Sequence, residues 1–186
     1  MLEPPRRIAY ATWPGTLAVL VLLVAFVGGL QAWDRSVPAL RDVEGSQPLV
    51  VGLGARFTPA PGWRINLPAS RSGNALALYK DGAAFVVSTS VWSGGEQGPM
   101  ARQMRVLERA RGLNIDGDPE PYLNGWGLQG QSVRYFGAQL TGRYWQMVDA
   151  KAGLVIQVDF QDARSGHASH LAEARAMVDS MDLFLQ

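Results

Sequence analysis

No charged side chain occurs between Arg7 and Asp34, and the run from Leu17 to Leu30 is almost wholly Leu, Val, Ala, Phe and Gly. A helix that packs on a soluble core keeps a polar stripe for water, and this run has none. A helix from Trp13 to Trp33 would rise about 30 Å, the hydrocarbon thickness of a bilayer. Both bounding tryptophans then fall where aromatic belts form, the indole body in the interface and its N–H toward water. Arg6 and Arg7 precede the run, and the mixed charges Asp34, Arg35, Arg41, Asp42 and Glu44 follow it. The positive-inside rule therefore sets residues 1–12 in the cytoplasm, residues 13–33 across the membrane and the C-terminal part outside. The competing reading is a cleaved signal peptide. Its small-residue cleavage pattern is poor, with Leu30 two positions before Ala32 and Val27 two before Gly29.

Roughly 150 residues follow the apolar run, enough for one domain with its own core. A chain with 47% hydrophobic residues, 18% charged residues and six Trp folds and is not low-complexity. Its net charge of +1 creates no broad field, so nucleic acid is not expected as a partner. The absence of Cys excludes disulfide scaffolds, thiolate catalysis, Cys-ligated zinc, iron-sulfur clusters and lipidation of an N-terminal Cys.

Residues 34–48 are polar and irregular, with Pro38, Gly45 and Pro48, and suit a tether. The domain is expected over 49–186. Leu49 to Leu53 and Ala55 to Phe57 read as strands, and Trp63, Ile65 and Leu67 alternate with Arg64 and Asn66 as in a strand with one buried face. Ala75 to Tyr79 and Ala83 to Trp92 form a hairpin about Lys80-Asp81-Gly82, because Asp-Gly accepts the positive φ of a tight turn. Gly98 to Arg111 changes period: Met100, Met104, Leu107 and Ala110 share a helical face, with Pro99 in the first turn and Gly112 at the stop. Asn114 to Asn124 reads as a polar loop and Leu128 to Phe136 as a strand. Arg143 to Val148 and Leu154 to Phe160 form a second hairpin about Asp149-Ala150-Lys151-Ala152-Gly153. A last helix begins at Ser165 or Gly166 with Leu171, Ala174, Val178 and Met181 in a stripe, and Asp182 to Leu185 closes as a short strand. This pattern predicts an α+β domain: a mostly antiparallel sheet of about six strands with two main helices packed on it, behind one transmembrane helix.

That order resembles the PsbP-like superfamily, including its LpqN-type envelope accessory proteins. The features that carry the resemblance are Phe57-Thr58-Pro59-Ala60-Pro61-Gly62-Trp63 opening a strand, the Gly-turn hairpin, the central helix, the second hairpin and the closing helix through Val178-Asp179-Ser180-Met181. The resemblance covers about Leu49 to Gln186 and implies a docking module, not an enzyme. No functional residue is carried across by it. Lacking a Cys to lipidate, this chain would use its transmembrane helix as the anchor.

Candidate chemistry is sparse. His167, His170 and Glu173 recur at three-residue steps on the last helix and could ligate zinc, or lend a histidine to a hydrolase; an exposed polar face is the plainer reading, and no G-x-S-x-G elbow is present. Asn114 to Glu120 clusters oxygens that could take calcium, but its Gly is at the wrong offset for an EF-hand. Gly52-Leu53-Gly54 lacks the third glycine of a dinucleotide fingerprint. Arg102, Arg105 and Arg109 form a basic ridge opposite the apolar stripe of the middle helix, fit for an acidic partner or lipid phosphates. Trp63, Trp92, Trp126, Tyr135, Tyr144 and Trp145 are core residues or, where exposed, a surface for a protein or an apolar ligand. Taken together, these features predict a non-catalytic membrane-anchored module, without cofactor or metal, that docks a protein partner through Arg102, Arg105, Arg109, Trp92, Trp126 and Trp145. The alternative is a lipid or small-molecule binder with an aromatic-lined pocket.

Overall fold

The computed structural model describes residues 17, 19–24, 26, 39–43, 47–70, 73–92, 98–149, 151–163 and 167–183. The chain divides into two units, residues 1–38 and residues 39–186. In the first unit, the described residues 17, 19–24 and 26 are helical, and their apolar side chains are 46–70% exposed. Among the described residues no helix is long and apolar enough to cross a membrane; the expected 13–33 span lies for the most part outside them.

The second unit is α+β. Its large sheet has eight antiparallel strands in the order β1 (Leu40–Asp42), β4 (Arg64–Asn66), β5 (Ala75–Lys80), β6 (Ala83–Val91), β10 (Leu154–Ala163), β9 (Leu140–Asp149), β8 (Gln129–Phe136) and β7 (Asn114–Leu123). A separate three-stranded sheet joins β11 (Asp182–Leu183), β3 (Ala55–Phe57) and β2 (Leu49–Val51). The expectation of about six strands is thus too low, for two reasons of pairing. The supposed polar loop after Asn114 is an edge strand, held to β8 from Asn114↔Phe136 to Leu123↔Gln129, with a register shift between Asp116 and Glu120 that absorbs Gly117 and Pro119. Leu40–Asp42, inside the stretch read as irregular, pairs with β4 at the opposite edge. Edge strands carry polar residues on both faces, so they show no period-2 signal.

The β5–β6 hairpin turns at Asp81 (φ 46°) and Gly82 (φ 92°), the doubly positive geometry its sequence predicts. Inward residues then follow the pleat. Phe85 and Val87 on β6, Ile156, Val158 and Phe160 on β10, and Trp145 and Met147 on β9 meet one helix, α2 (His167–Asp179), through Ala174, Met177 and Val178. Trp63, Phe57 and Met181 complete this core, with Trp63 and Phe57 tilted against Phe85 at 6.1 and 5.6 Å. The opposite sheet face carries a smaller cluster in which Met100, Leu107 and Leu113 cover Val133, Tyr135 and Tyr144. Met100 comes from α1 (Pro99–Arg105), Leu107 from the π-helical turn over Val106–Ala110 that continues it, and Leu113 follows Gly112, whose φ of 62° ends the helix.

Candidate functional site

Two polar clasps tie α2 to the sheet. Trp63 Nε1 donates to Glu173 Oε2 at 2.7 Å, and Lys80 Nζ reaches both Glu173 oxygens at 2.7 and 2.8 Å. Burial alone would raise the Glu173 pKa; the hydrogen bonds from Lys80 and Trp63 and the Lys80 charge outweigh it and hold the carboxyl below its ordinary value. Asp162 extends the inward phase of β10 by one step past Phe160, and its carboxylate, 1% exposed, meets His170 Nδ1 at 2.7 Å. With a carboxylate as acceptor, Nδ1 carries the hydrogen. The plainer sequence reading, an exposed polar face, is therefore corrected here: Glu173 and His170 face the sheet because each finds a partner there.

The same contacts engage two of the three residues considered as zinc ligands. Glu173 is spent on Lys80 and Trp63, and among the described residues no group of three His, Asp or Glu could hold a metal ion. The His167 side chain lies outside them. As for a hydrolase, no hydroxyl stands against the second nitrogen of His170 among the described residues, and the edge of Trp63 faces that ring at 6.4 Å.

The other candidates also resolve into structure. In the Asn114 to Glu120 stretch, Asp116 pairs with Arg134 at 3.6 Å, and Glu120 with Arg134 at 3.8 Å and with Arg143 at 2.5 Å, so the oxygens answer guanidinium groups across β7 and β8. Gly52-Leu53-Gly54 is the β2–β3 turn, where a Cβ on Gly52 would stand 1.9 Å from Thr89 Oγ1. A depression of about 300 Å³ lies between Arg134, Phe136, Thr141, Arg143 and Leu171. Of the six aromatics considered for a ligand surface, Tyr135 lines it.

A buried network runs beneath the π turn. Tyr135 lies across Gly142, where a Cβ would stand 2.2 Å from its ring, and its hydroxyl bonds the Asp159 carboxylate and the Phe160 carbonyl. Burial raises the Tyr135 pKa, and the Asp159 charge raises it further. Burial works against the Arg111 cation, but Asp159 at 2.5 Å and Tyr135 hold its pKa above the ordinary value. Nearby, the Tyr144 hydroxyl and the Gln146 amide are buried and without a hydrogen-bond partner among the described residues. Sequence reasoning missed this network, because Tyr135 on β8 and Asp159 on β10 meet only across Gly142 of the intervening β9, a pairing no local pattern announces.

The six expected docking residues separate cleanly. Arg102, Arg105 and Arg109 are all exposed, so the ridge survives the π turn. Arg102 and Arg109 pair with no carboxylate among the described residues, unlike Arg111, Arg134 and Arg143. Trp92 and Trp126 are 38% and 63% exposed. Trp145 is a correction: at 1% exposure it is core, with Arg143 over one face at 5.8 Å and the edge of Tyr122 at 6.5 Å. Its strand phase, matching that of Met147, sends it inward.

The antiparallel sheet closed by one long helix is an α+β fold that solved structures share. The solution structure of cyanobacterial PsbP (CyanoP) from Synechocystis sp. PCC 6803 is similar over 76% of this chain and 95% of its own, with TM-score 0.56 at 12% identity. More distant likenesses are the Ran-binding protein Mog1p of Saccharomyces cerevisiae (TM-score 0.46, 11% identity, 75% of this chain and 96% of that one) and LpqN, involved in cell envelope biogenesis of Mycobacterium tuberculosis (TM-score 0.41, 13% identity, 77% and 87%). At such identities the shared property is the fold. No protein-family profile and no curated protein sequence matches the chain.

Proposed function

We propose that the protein is a membrane-anchored accessory module. In this reading residues 1–12 are cytoplasmic, residues 13–33 cross the cell membrane, and the PsbP-like unit outside holds a protein partner through Arg102, Arg105 and Arg109 without catalysing a reaction. The observation that carries it is the contrast among cations: Arg111, Arg134 and Arg143 are consumed by internal carboxylates, while Arg102 and Arg109 project from α1 toward solvent. A ridge of that kind fits an acidic protein surface, where rim charges speed encounter and set register more than they add affinity. The anchor reading is supported by the described apolar helical residues 17, 19–24 and 26, which are 46–70% exposed. A lipid or small-molecule binder is the weaker reading, since Trp145 is buried in the core and Trp92 and Trp126 are exposed.

The test is cross-linking of the full chain in membranes of its own cell, followed by detergent solubilisation and capture. A partner recovered with the native chain, weakened by added salt and lost from R102E/R105E/R109E, supports the reading. Recovery of the chain alone, with and without cross-linker, overturns it.

A further inference from the structure

Among the described residues of 39–183, five of the nine exposed large hydrophobic side chains stand at one end of the sheet, the others being Val50, Leu67, Val106 and Phe136. Val91 pairs with Leu154, Leu154 with Asp149, Met147 with Gly130, and Gln129 with Leu123. The close of β6, the β9–β10 turn and the β7–β8 turn therefore share that end. Leu53 N donates to Thr89 Oγ1 at 3.0 Å, which brings the β2–β3 turn there as well. The rim so formed presents Leu53 (46% exposed), Val91 (71%), Trp92 (38%), Leu123 (62%) and Trp126 (63%). Trp126 is held outward by a built turn, in which Asn124 Oδ1 accepts from the Trp126 and Leu128 amides while Asn124 Nδ2 donates to the Met181 carbonyl. At the tip of the β9–β10 turn Lys151 is exposed, and Asp149 turns its carboxylate inward onto the Lys151 and Ala152 amides. The rim is thus apolar, aromatic and locally cationic.

The chain also arrives from this side. Leu67 N donates to the Ala39 carbonyl at 3.1 Å, and β1 then runs away from the rim, from Leu40 opposite Asn66 to Asp42 opposite Arg64. Continuing that register sets Ala39 level with Leu76 and Val87, four strand residues and about 13 Å from Val91. Between Trp33 and Ala39 stand only Asp34 to Pro38, a reach of at most about 18 Å. With so short a stretch between a span ending at Trp33 and Ala39, the rim lies within reach of a membrane surface.

We infer that this rim rests in the lipid interface, with Trp92 and Trp126 at headgroup depth among Leu53, Val91 and Leu123, and with Lys151 at anionic lipid phosphates. The inference depends on the membrane-anchor reading of residues 13–33. Tryptophan is the side chain best matched to that depth, being apolar in body and polar at one edge. A rim in lipid turns the flank of the domain that bears Arg102, Arg105 and Arg109 toward partners beside it.

The chain contains no Cys, so single-cysteine labelling is free of background. Full-length W126C and F136C, the latter at the opposite end of the sheet beside Thr141, are each labelled with an environment-sensitive fluorophore and reconstituted into phosphatidylcholine vesicles containing anionic phosphatidylglycerol. Flotation reports anchoring, and spin-labelled lipids report depth. The expected result is flotation of both variants, with the label at 126 blue-shifted and strongly quenched at a depth of about 5–10 Å, and the label at 136 aqueous and unquenched. Flotation with an aqueous label at 126 overturns the inference and leaves the anchor standing. A label at 126 that is blue-shifted but untouched by lipid quencher means that protein, such as a second copy, covers the rim, which also overturns it. Failure to float in the absence of detergent overturns the anchor and the inference together.

Discussion

The two faces of the large sheet are built to different standards. Beneath α2, large aromatics interlock, with Trp63 and Phe57 against Phe85 and Trp145 under Arg143; Asp162 is answered by His170 and Glu173 by Lys80 and Trp63, while Thr141 Oγ1, in the strand phase of Trp145, has no hydrogen-bond partner among the described residues. Beneath α1, the apolar cluster is small, the helix loosens into a π turn, and the Tyr144 hydroxyl and Gln146 amide are buried without partners among the described residues. A buried polar group left unpaired costs about 1–3 kcal/mol. The contrast teaches that stability is concentrated on one face, which leaves the other face and the rim free to present charge and aromatic surface.

The sharpest way to break this contrast is to truncate tryptophans of the two kinds. Trp145→Ala, which empties a core position, is expected to lower the unfolding free energy by about 3–5 kcal/mol. Trp126→Ala, on the rim, should stay within about 0.5 kcal/mol. Urea unfolding of both variants checks this, and equal losses would mean that the rim is part of the core.

The second test concerns Gly142. A methyl group there would stand 2.2 Å from the Tyr135 ring, and the hydroxyl of that ring is committed to Asp159 and the Phe160 carbonyl. Gly142→Ala is expected to cost about 1–3 kcal/mol, the range for overpacking. A smaller loss would show that the α1 face is soft enough to absorb it. A matched measurement on the other face is His170→Ala, which strands the Asp162 carboxylate and is expected to cost about 1–3 kcal/mol by thermal melting.

How legible this was in the sequence varied with the local physics. The β5–β6 hairpin was written in Asp81-Gly82, because few residue pairs tolerate two positive φ angles in succession. The core helix and the inner strands followed from period, since burial on one face enforces it. β1 and β7 were not legible: an edge strand is recruited by its neighbour's unpaired backbone, and its side chains carry no pattern. Among the residues proposed for docking, helical spacing put Arg102, Arg105 and Arg109 on the solvent side, where they are exposed, whereas Trp145 was not recognised as core. Its neighbours Arg143 and Gln146 made the strand look wet, but Arg143 reaches out to Glu120 and Ser132 while its stem and head cover the indole. The His170–Asp162 pair needed the phase of β10 to be carried two residues past Phe160.

Acid should separate the faces through Glu173. Its pKa is lower in the fold than its ordinary 4.5, so the folded state releases this proton more readily than the unfolded chain does. The clasp with Lys80 and Trp63 therefore contributes its full stability above about pH 4.5 and loses it as pH falls through the folded-state pKa. Glu173→Gln, which keeps the shape and removes the charge, should flatten the acid limb of the melting-temperature profile and leave the neutral-to-alkaline part of its shape unchanged. An acid limb of undiminished slope would assign that limb to other carboxylates.

The smallest expected effect belongs to the ridge. Arg102 and Arg109 stand in water, and exposed charges on a helix typically contribute no more than a few tenths of a kcal/mol to stability. Each single reversal, R102E or R109E, should therefore change the unfolding free energy by less than about 0.5 kcal/mol. A ridge that served the fold would behave differently, because reversing an arginine within an internal ion pair sets like charges against each other; R143E, facing Glu120 at the edge of the sheet, is the matched control and should cost more than either ridge variant. If R102E and R109E proved as costly as R143E, the free cations of α1 would have to be counted among the structural ones. The difference between the faces would then be one of packing density alone.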